Sequence, residues 1–437
     1  MSDDLNLPPS LRLKHLWPIE DKLEDARRQR LKRGGLNRPK LHSAQLQIKS
    51  EARRFNVAAC GRRFGKSILA QDIACDYLVA GWPVGWFSPS YKSLADNWRE
   101  LESVLTPVIV DKSVQEHRIE LSTKGVLDCW SLDNPDAPRG RKYKLVIVDE
   151  AAQVRYLGEA WQAVIEPMLM DLKGDAWFLS TPQGANFFRT VFSWGLDDER
   201  YPEWKSWQMP STANTAPDVH QNIVDEVARK RETTPERYFL QEYMAEFLDD
   251  AGGVFRYVDR AATAAKQESA IDGHSYVIGV DWGKYQDFTV LAVVDATLKE
   301  LCYLDRFNRI DFELQMPRLY NLATRFKTKT IIPEHNSFGI PLEEQLKREG
   351  YQVHPFTTTN ASKAEAIDSL TLAIEKGELK IIPDGVLIDE LKSYEAERLP
   401  SGMLRYSAPE GHHDDCVIAL ALAWHGASIR PRRVLYA

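Results

Sequence analysis

Long apolar runs are missing from this chain of 437 residues. The longest candidate, Val417 to Trp424, falls far short of the ~20 residues that span a bilayer, so no membrane partner is expected. Cysteine is scarce. The five present (Cys60, Cys75, Cys129, Cys302 and Cys416) are scattered and odd in number. They show no paired metal-ligand spacing, which argues against a disulfide framework or a thiolate zinc site and fits a reducing cytoplasm. The N-terminal Met-Ser-Asp-Asp-Leu-Asn lacks a signal-peptide core. An excess of positive charge is absent too: the net charge is −7, so any contact with nucleic acid must come from local patches. Leu11–Lys40 is one, with ten Lys/Arg against four Asp/Glu, although i,i+3 and i,i+4 pairing would equally make it a solvated helix. Arg430, Arg432 and Arg433 form a weaker patch near the C-terminus.

What is present is globular, with 43% hydrophobic and 27% charged residues, and the length predicts two domains or more. No repeat or low-complexity block is visible. Residues 1–40 read as a charged helical arm ending in Gly34-Gly35 and Pro39. Residues 41–250 read as a β/α domain with a helical lid over about 215–250, and 251–273 as a linker. Residues 274–437 read as a second α/β domain. In the first domain, Phe55–Cys60, Val84–Ser88, Leu145–Val148 and Ala176–Ser180 have the apolar character of buried parallel strands. Arg118–Ser122 and Val126–Leu132 alternate around Thr123-Lys124-Gly125, as an antiparallel hairpin would. In the second, Tyr276–Val280, Thr289–Val294 and Leu301–Arg306 predict three consecutive strands, and Asp414–Ala427 the last long helix.

Cys60-Gly61-Arg62-Arg63-Phe64-Gly65-Lys66-Ser67 follows the first strand and opens a helix. Such a loop turns its backbone N–H groups, from Gly61 through Arg62, Arg63 and Gly65, onto phosphates at a helix N-terminus. Lys66 would neutralise the β/γ-phosphates of ATP and the Ser67 hydroxyl would ligate Mg²⁺. Cys60 occupies the place of the usual first glycine. Further on, Leu145-Val146-Ile147-Val148-Asp149-Glu150 ends a buried-type strand in two acids. Asp149 suits the Mg²⁺ water shell, and Glu150 suits a general base on the attacking water. Two exposed acids after a strand are common alone; joined to a Gly-Lys-Ser loop in this order they are not. Gln45 precedes the first strand, where an amide could read the adenine edge. Ser180-Thr181-Pro182 ends a later strand, where hydrolysis could be sensed. Arg62, Arg139 and Arg141 are candidates for stabilising transition-state charge, although most arginines are only surface charges.

A second set of acids lies beyond residue 273. Asp281 ends the strand Tyr276-Val277-Ile278-Gly279-Val280, and Glu334 ends Thr330-Ile331-Ile332-Pro333. Gly411-His412-His413-Asp414-Asp415 places two acids at the first turn of an apolar helix. Capping and the helix dipole explain the last pair without any function. Residues adjacent in a helix point about 100° apart, so Asp414 and Asp415 are not expected as equivalent inward ligands. Oxygen-only ligands suit Mg²⁺ or Mn²⁺, and two such ions can activate a water and stabilise a leaving 3′-oxygen. Asp281, Glu334 and Asp414 would be the principal ligands and catalytic acids, with Asp415 and Asp287 as supplements. Lys363 could contact the scissile phosphate or tune the metals, or be a surface lysine.

Together these residues resemble the large terminase subunit of tailed double-stranded DNA phages. Gly61–Ser67 matches its variant phosphate loop, Asp149-Glu150-Ala151 its acidic strand end and Ser180–Pro182 its coupling motif. Gln241-Glu242-Tyr243 to Phe247, then Gly252-Gly253-Val254-Phe255, look like its passage from lid to nuclease. Gly279–Gly283, Glu334–Gly339 and His413-Asp414-Asp415 resemble its nuclease motifs. The resemblance spans about residues 41–427. It implies an ASCE-type P-loop ATPase with a parallel-rich sheet, joined to a ribonuclease-H-like nuclease with a mixed sheet. Lys66, Ser67, Asp149 and Glu150 would carry ATP hydrolysis, with Arg62 and Arg139 as finger candidates. Asp281, Glu334, Asp414 and Asp415 would hold two Mg²⁺ or Mn²⁺. The implied task is ATP-driven movement of viral double-stranded DNA into the prohead, with cleavage of the concatemer at the start and end of packaging. The implied partners are that DNA, a portal protein and a small terminase subunit. A homo-oligomeric ring, usually a pentamer, would form on the prohead, with a monomer as the free form. The implied location is the cytoplasm of an infected bacterium, with transient docking on the prohead and absence from the mature virion. A helicase-like ATPase fused to a nuclease would share Lys66 and Asp149-Glu150 but needs a second recombinase-like lobe. The second set of acids occupies that space. A non-catalytic scaffold would have little reason to keep Lys66, Glu150, Asp281 and Asp414.

Overall fold

The computed structural model describes Leu36 and residues 38–248, 253–283, 288–310, 312–335, 339–398, 404–409 and 411–428. The arm expected over 1–40 therefore lies mostly outside the described residues, as do Asp287 and the C-terminal arginines. The chain divides into two compact units: Met1–Lys230 with Arg237–Asp249, and Arg231–Glu236 with Asp250–Ala437.

The first unit opens with α1 (Ser43–Ser50), β1 (Phe55–Cys60), α2 (Lys66–Val79), β2 (Pro83–Ser88) and α3 (Tyr91–Leu105). The strands β3 (Ile109–Ser113), β4 (Arg118–Leu121), β5 (Val126–Ser131) and β6 (Leu145–Asp149) follow. Then come α4 (Leu157–Ala160), α5 (Glu166–Met170), β7 (Asp175–Ser180), α6 (Phe187–Trp194) and β8 (Trp204–Met209). The helices α7 (His220–Thr233) and α8 (Glu236–Glu242) occupy the region expected as a lid. Among the described residues the sheet has eight strands in the order β3-β4-β5-β2-β6-β7-β1-β8. From β5 to β8 every pairing is parallel; β3 and β4 add an antiparallel extension at the far edge. One strand, β7, separates β1 from β6, so the loop after β1 and the acids ending β6 emerge on the same edge of a parallel sheet. The central strands are buried on both faces because helices cover both. Leu69, Ile73, Leu94 and Leu101 of α2 and α3 pack on one side, and Trp161, Ile165, Phe188 and Val191 on the other. Each such side chain contributes about 1.5–3 kcal/mol of burial.

The second unit contains α9 (Val258–Ala261), β9 (Tyr276–Asp281), β10 (Thr289–Asp295), β11 (Glu300–Phe307) and α10 (Phe312–Arg325). After these come β12 (Thr330–Pro333), α11 (Ile340–Arg348), β13 (Gln352–Val353) and α12 (Asn360–Glu375). The chain closes with α13 (Gly385–Ser393), the hairpin β14 (Glu395–Arg398) and β15 (Leu404–Ser407), and α14 (Asp415–Ser428). The described sheet runs β11-β10-β9-β12-β13. It is an antiparallel meander to which β12 adds parallel to β9. Strand alternation divides β10 between two cores. Val290, Ala292 and Val294 face a cluster with α12, α13 and α14, whereas Leu291 and Val293 join Leu319, Leu322 and Leu346.

Residues 253–273 correct the expectation of a linker. Val254, Phe255, Val258, Ala261 and Ala264 are buried in the core of this unit. Backbone bonds tie them in, from Ala264 N–H to Ile381 O at 3.0 Å and from Ile381 N–H to Ala261 O at 2.9 Å. The polar residues between them hid a short apolar set.

The last helix lies unusually close to β9. A Cβ on Gly279 would stand 2.1 Å from Ala419 O and 2.4 Å from Ala423 N, both backbone atoms that cannot yield. This approach brings the acidic start of α14 over the end of β9. Gly279→Ala is therefore expected to force the two apart, costing about 1–3 kcal/mol as overpacking does. A calorimetric scan should show a lowered melting transition for the second unit, with nuclease activity falling further than ATP turnover.

Candidate active sites

In the first unit the phosphate loop joins β1 to α2, whose first-turn amides have no partners within the helix. The displaced glycine has a steric reason. Cys60 is the fully buried last residue of β1. A Cβ on Gly61 would meet Tyr243 O at 2.5 Å and Ser211 N at 2.7 Å. Glycine is thus required where the lid backbone crosses the loop. Gly61 N–H donates to Met209 O at 2.8 Å, and Arg62 N–H to Glu242 O at 2.7 Å. The loop is also braced from α1. Gln45, 1% exposed, donates to Gly65 O at 2.8 Å and accepts from His42 N–H at 3.0 Å. His42 Nε2 donates to Phe64 O at 2.9 Å. Gln45, expected to face adenine, here supports the loop. The Arg63 carbonyl accepts from Asn214 Nδ2 at 2.8 Å, while the Arg63 side chain is exposed.

Lys66 is buried, and its Nζ donates to Thr181 Oγ1 at 3.0 Å. Ser67 follows it, half-buried, in the first turn of α2. Asp149 is buried at the end of β6; burial first, then the Glu150 charge, pushes its carboxyl up to about 6. Asn97 of α3, a residue that sequence reasoning missed, opposes this by donating to Asp149 Oδ2 at 2.7 Å. Among the described residues, buried Asp149 Oδ1 has no hydrogen-bond partner. Glu150 is half-buried in the left-handed region (φ 50°), and its Oε2 accepts from Ser180 Oγ at 3.3 Å. The Ser-Thr-Pro strand end therefore touches both Glu150 and Lys66. Arg62 Nε pairs with Glu242 Oε2 at 2.5 Å and lies within electrostatic reach of Glu150. Arg139 is exposed and pairs with Asp136 at 2.7 Å. Arg141 lies 5.8 Å over the Trp130 ring.

In the second unit, strand ends and one helix start gather the other acids. Glu334 follows β12 and is held by its own backbone, N–H to Val280 O at 2.9 Å, beside the end of β9. Its Oε1 accepts from Thr358 Oγ1 at 2.7 Å, another contact that sequence reasoning missed. The Asp281 carboxyl is held well above the usual range by burial and then by the negative charges of Glu334, Asp415 and Asp414. The other three acids thus all act on Asp281. Lys363 Nζ pairs with Asp414 Oδ2 at 3.1 Å and so belongs to the site. His413 Nδ1 lies 3.5 Å from Asp415 Oδ2. Asp414 and Asp415 both act on the Asp281 carboxyl. Helix α14 begins at Asp415 and Asp414 precedes it, so the 100° spacing within a helix does not apply. Among the described residues no three His, Cys, Asp or Glu side chains are drawn into a ready-made ligand shell. The donor chemistry nevertheless fits hard divalent cations: oxygen-only, crowded and mutually repelling.

Comparison with known proteins decides the family. The large terminase subunit of Thermus phage G20c is 30% identical over 432 residues, covering 88% of this chain and 87% of that one. This chain belongs to the large terminase subunit family. The family described as terminase large subunit, T4likevirus-type, N-terminal, matches residues 58–261. Among solved structures, the large terminase nuclease of phage G20c with bound magnesium is 28% identical, with a TM-score of 0.37. The match covers 40% of this chain and 97% of that one. The Thermus phage P74-26 large terminase ATPase domain is 26% identical, with a TM-score of 0.40. That match covers 48% of this chain and 94% of that one. As a large terminase subunit the chain is a viral packaging ATPase and a metal-dependent nuclease. Membership of the family places it in the DNA-packaging machinery. The expected pairing of a parallel-rich α/β sheet with a separate, mixed α/β sheet is borne out.

Proposed function

We propose that this large terminase subunit divides its two activities between the two acidic sites, with the residue roles that follow. The observation carrying this reading is the electrostatic coupling of Asp281, Glu334, Asp414 and Asp415 in a unit that contains none of Lys66, Asp149 and Glu150. In the first unit, Lys66 and the amides of Gly61–Ser67 hold the ATP phosphates. The Ser67 hydroxyl and Asp149 hold the accompanying Mg²⁺, a role supported by the unpartnered Asp149 Oδ1. Glu150 takes the proton of the attacking water, and Ser180 and Thr181 link that site to β7. Arg62 is the charge-stabilising arginine in cis, and Arg139, exposed, serves a neighbouring subunit. Gln45 keeps the loop in register beneath the base.

In the second unit, Asp281, Glu334, Asp414 and Asp415 hold two Mg²⁺ or Mn²⁺; two dications match four carboxylates better than one. Such ions supply Lewis acidity to the attacking water and to the leaving 3′-oxygen. Lys363 holds Asp414 and offers its ammonium to the scissile phosphate. The partners we assign are double-stranded DNA, a portal protein and a small terminase subunit, with a pentameric ring on the prohead. The work is done in the cytoplasm of the infected bacterium. Reciprocal inactivation tests the division: Glu150→Gln and Asp281→Ala full-length chains are assayed together for ATP turnover and plasmid cleavage. Each should lose one activity. Loss of both activities in either folded variant would overturn the reading.

A further inference from the structure

The two acids at the start of α14 sit in positions that usually serve the helix itself. Asp414 O accepts the first helical bond, from Ile418 N–H at 2.9 Å, which makes Asp414 the N-cap. An aspartate there ordinarily turns its carboxylate onto the amides of the second and third helical residues. Here these are Cys416 and Val417, and another residue takes both. Glu390 Oε2 accepts from Cys416 N–H at 2.8 Å and from Val417 N–H at 3.4 Å. Glu390 stands on α13 and is 7% exposed. Its charge faces Arg306, 3.9 Å away, whose guanidinium lies 3.3 Å over the Phe288 ring. The Asp414 carboxylate goes to Lys363 instead.

We propose that Glu390 is a positioning residue of the nuclease site: it caps α14 in place of Asp414, leaving Asp414 and Asp415 to face the cation-binding acids. The physical case is one of alternatives. Burying a carboxylate with only a distant cation beside it is costly, and Asp414 could cap its own helix without burying another charge. The arrangement makes sense where Asp414 is needed elsewhere. With Glu390 gone, two buried amides lack an acceptor. As the N-cap residue, Asp414 could supply one and would then turn away from the site. This inference rests on reading Asp281, Glu334, Asp414 and Asp415 as ligands.

Its test is Mn²⁺ binding to the full chain without DNA or nucleotide, read from the electron paramagnetic resonance signal of the free ion. Glu390→Ala is expected to weaken binding about tenfold or more, as loss of an outer support for metal ligands does. Glu390→Gln keeps an acceptor oxygen and should stay within about threefold of the wild type. Glu390→Asp, one methylene shorter, should fall between them. At saturating Mn²⁺ the cleavage rate should approach that of the wild type, with the defect confined to the metal requirement. ATP turnover should not change. Unchanged affinity in folded Glu390→Ala or Glu390→Asp overturns the proposal, as does an equal loss in Glu390→Gln. Should Glu390→Ala not fold, Glu390→Asp decides. Asp281→Ala is the control. If it also leaves Mn²⁺ binding intact, the ligand reading itself is wrong; if it alone abolishes binding, only the capping role is.

Discussion

Asp281→Ala is expected to reduce Mn²⁺-dependent plasmid cleavage by roughly a thousandfold while ATP turnover stays near the wild-type rate. Loss of one fixed electrostatic contact to a transition state costs about 10²–10³, and Asp281 carries more than one contact. Its carboxyl lies among Glu334, Asp414 and Asp415, so removing it takes away the group that faces all three. Gel analysis of plasmid nicking, beside a phosphate-release assay on the same preparation, reads both activities. Equal cleavage by variant and wild type would sink the assignment.

The same crowding has a consequence for stability. The Asp281 carboxyl is raised above its unfolded value, so the folded unit binds this proton more readily than the unfolded chain. Its contribution to stability is complete below the unfolded pKa and is lost as pH rises through the folded one. Without divalent cations, Asp281→Asn should therefore raise the melting temperature of the second unit at neutral pH, by about 2–4 °C for each kcal/mol of repulsion removed. The gain should shrink as the medium is acidified and the wild-type group takes up its proton. Excess Mn²⁺ should stabilise the wild type and not the variant.

Glu150→Gln is expected to give the second large effect, an ATP turnover lowered by about 10²–10⁴, the usual worth of a general base. Nucleotide binding should persist, because Lys66 and the loop amides are untouched. Lys66→Ala should lose binding as well, since its ammonium is the buried positive charge next to Thr181. Cleavage of plasmid by both variants should remain. Binding of a fluorescent ATP analogue separates the two: retained by Glu150→Gln, lost by Lys66→Ala. Equal affinity in both would remove Lys66 from the phosphate site.

Much of each site could be read from local pattern. A Gly-Lys-Ser loop between a strand and a helix, an apolar strand ending in Asp149-Glu150, and acids after β9 and β12 are features of neighbouring residues, and their consequences are local. Partners distant in sequence were not legible. Asn97 is an ordinary polar residue in an amphipathic helix until α3 packs against the sheet and brings it to Asp149. Gln45 looked like a reader of the base because its position before β1 is visible, whereas its bond to Gly65 O is not. Residues 251–273 read as a linker because Val254, Phe255, Val258, Ala261 and Ala264, buried in the second unit, are spaced too irregularly to show a period.

The family, its two activities and the acids we propose for them could be read from sequence order, because loop conformation, strand ends and helix starts depend on residues side by side. What surrounds those acids came from the folded chain alone. The capping amides of α14 are satisfied from α13, the Gly61 position is closed by the lid backbone, and the Gly279 position admits α14 at backbone contact. Each depends on which surfaces meet after folding, and a hydrogen bond between distant residues leaves no trace in the order of either segment.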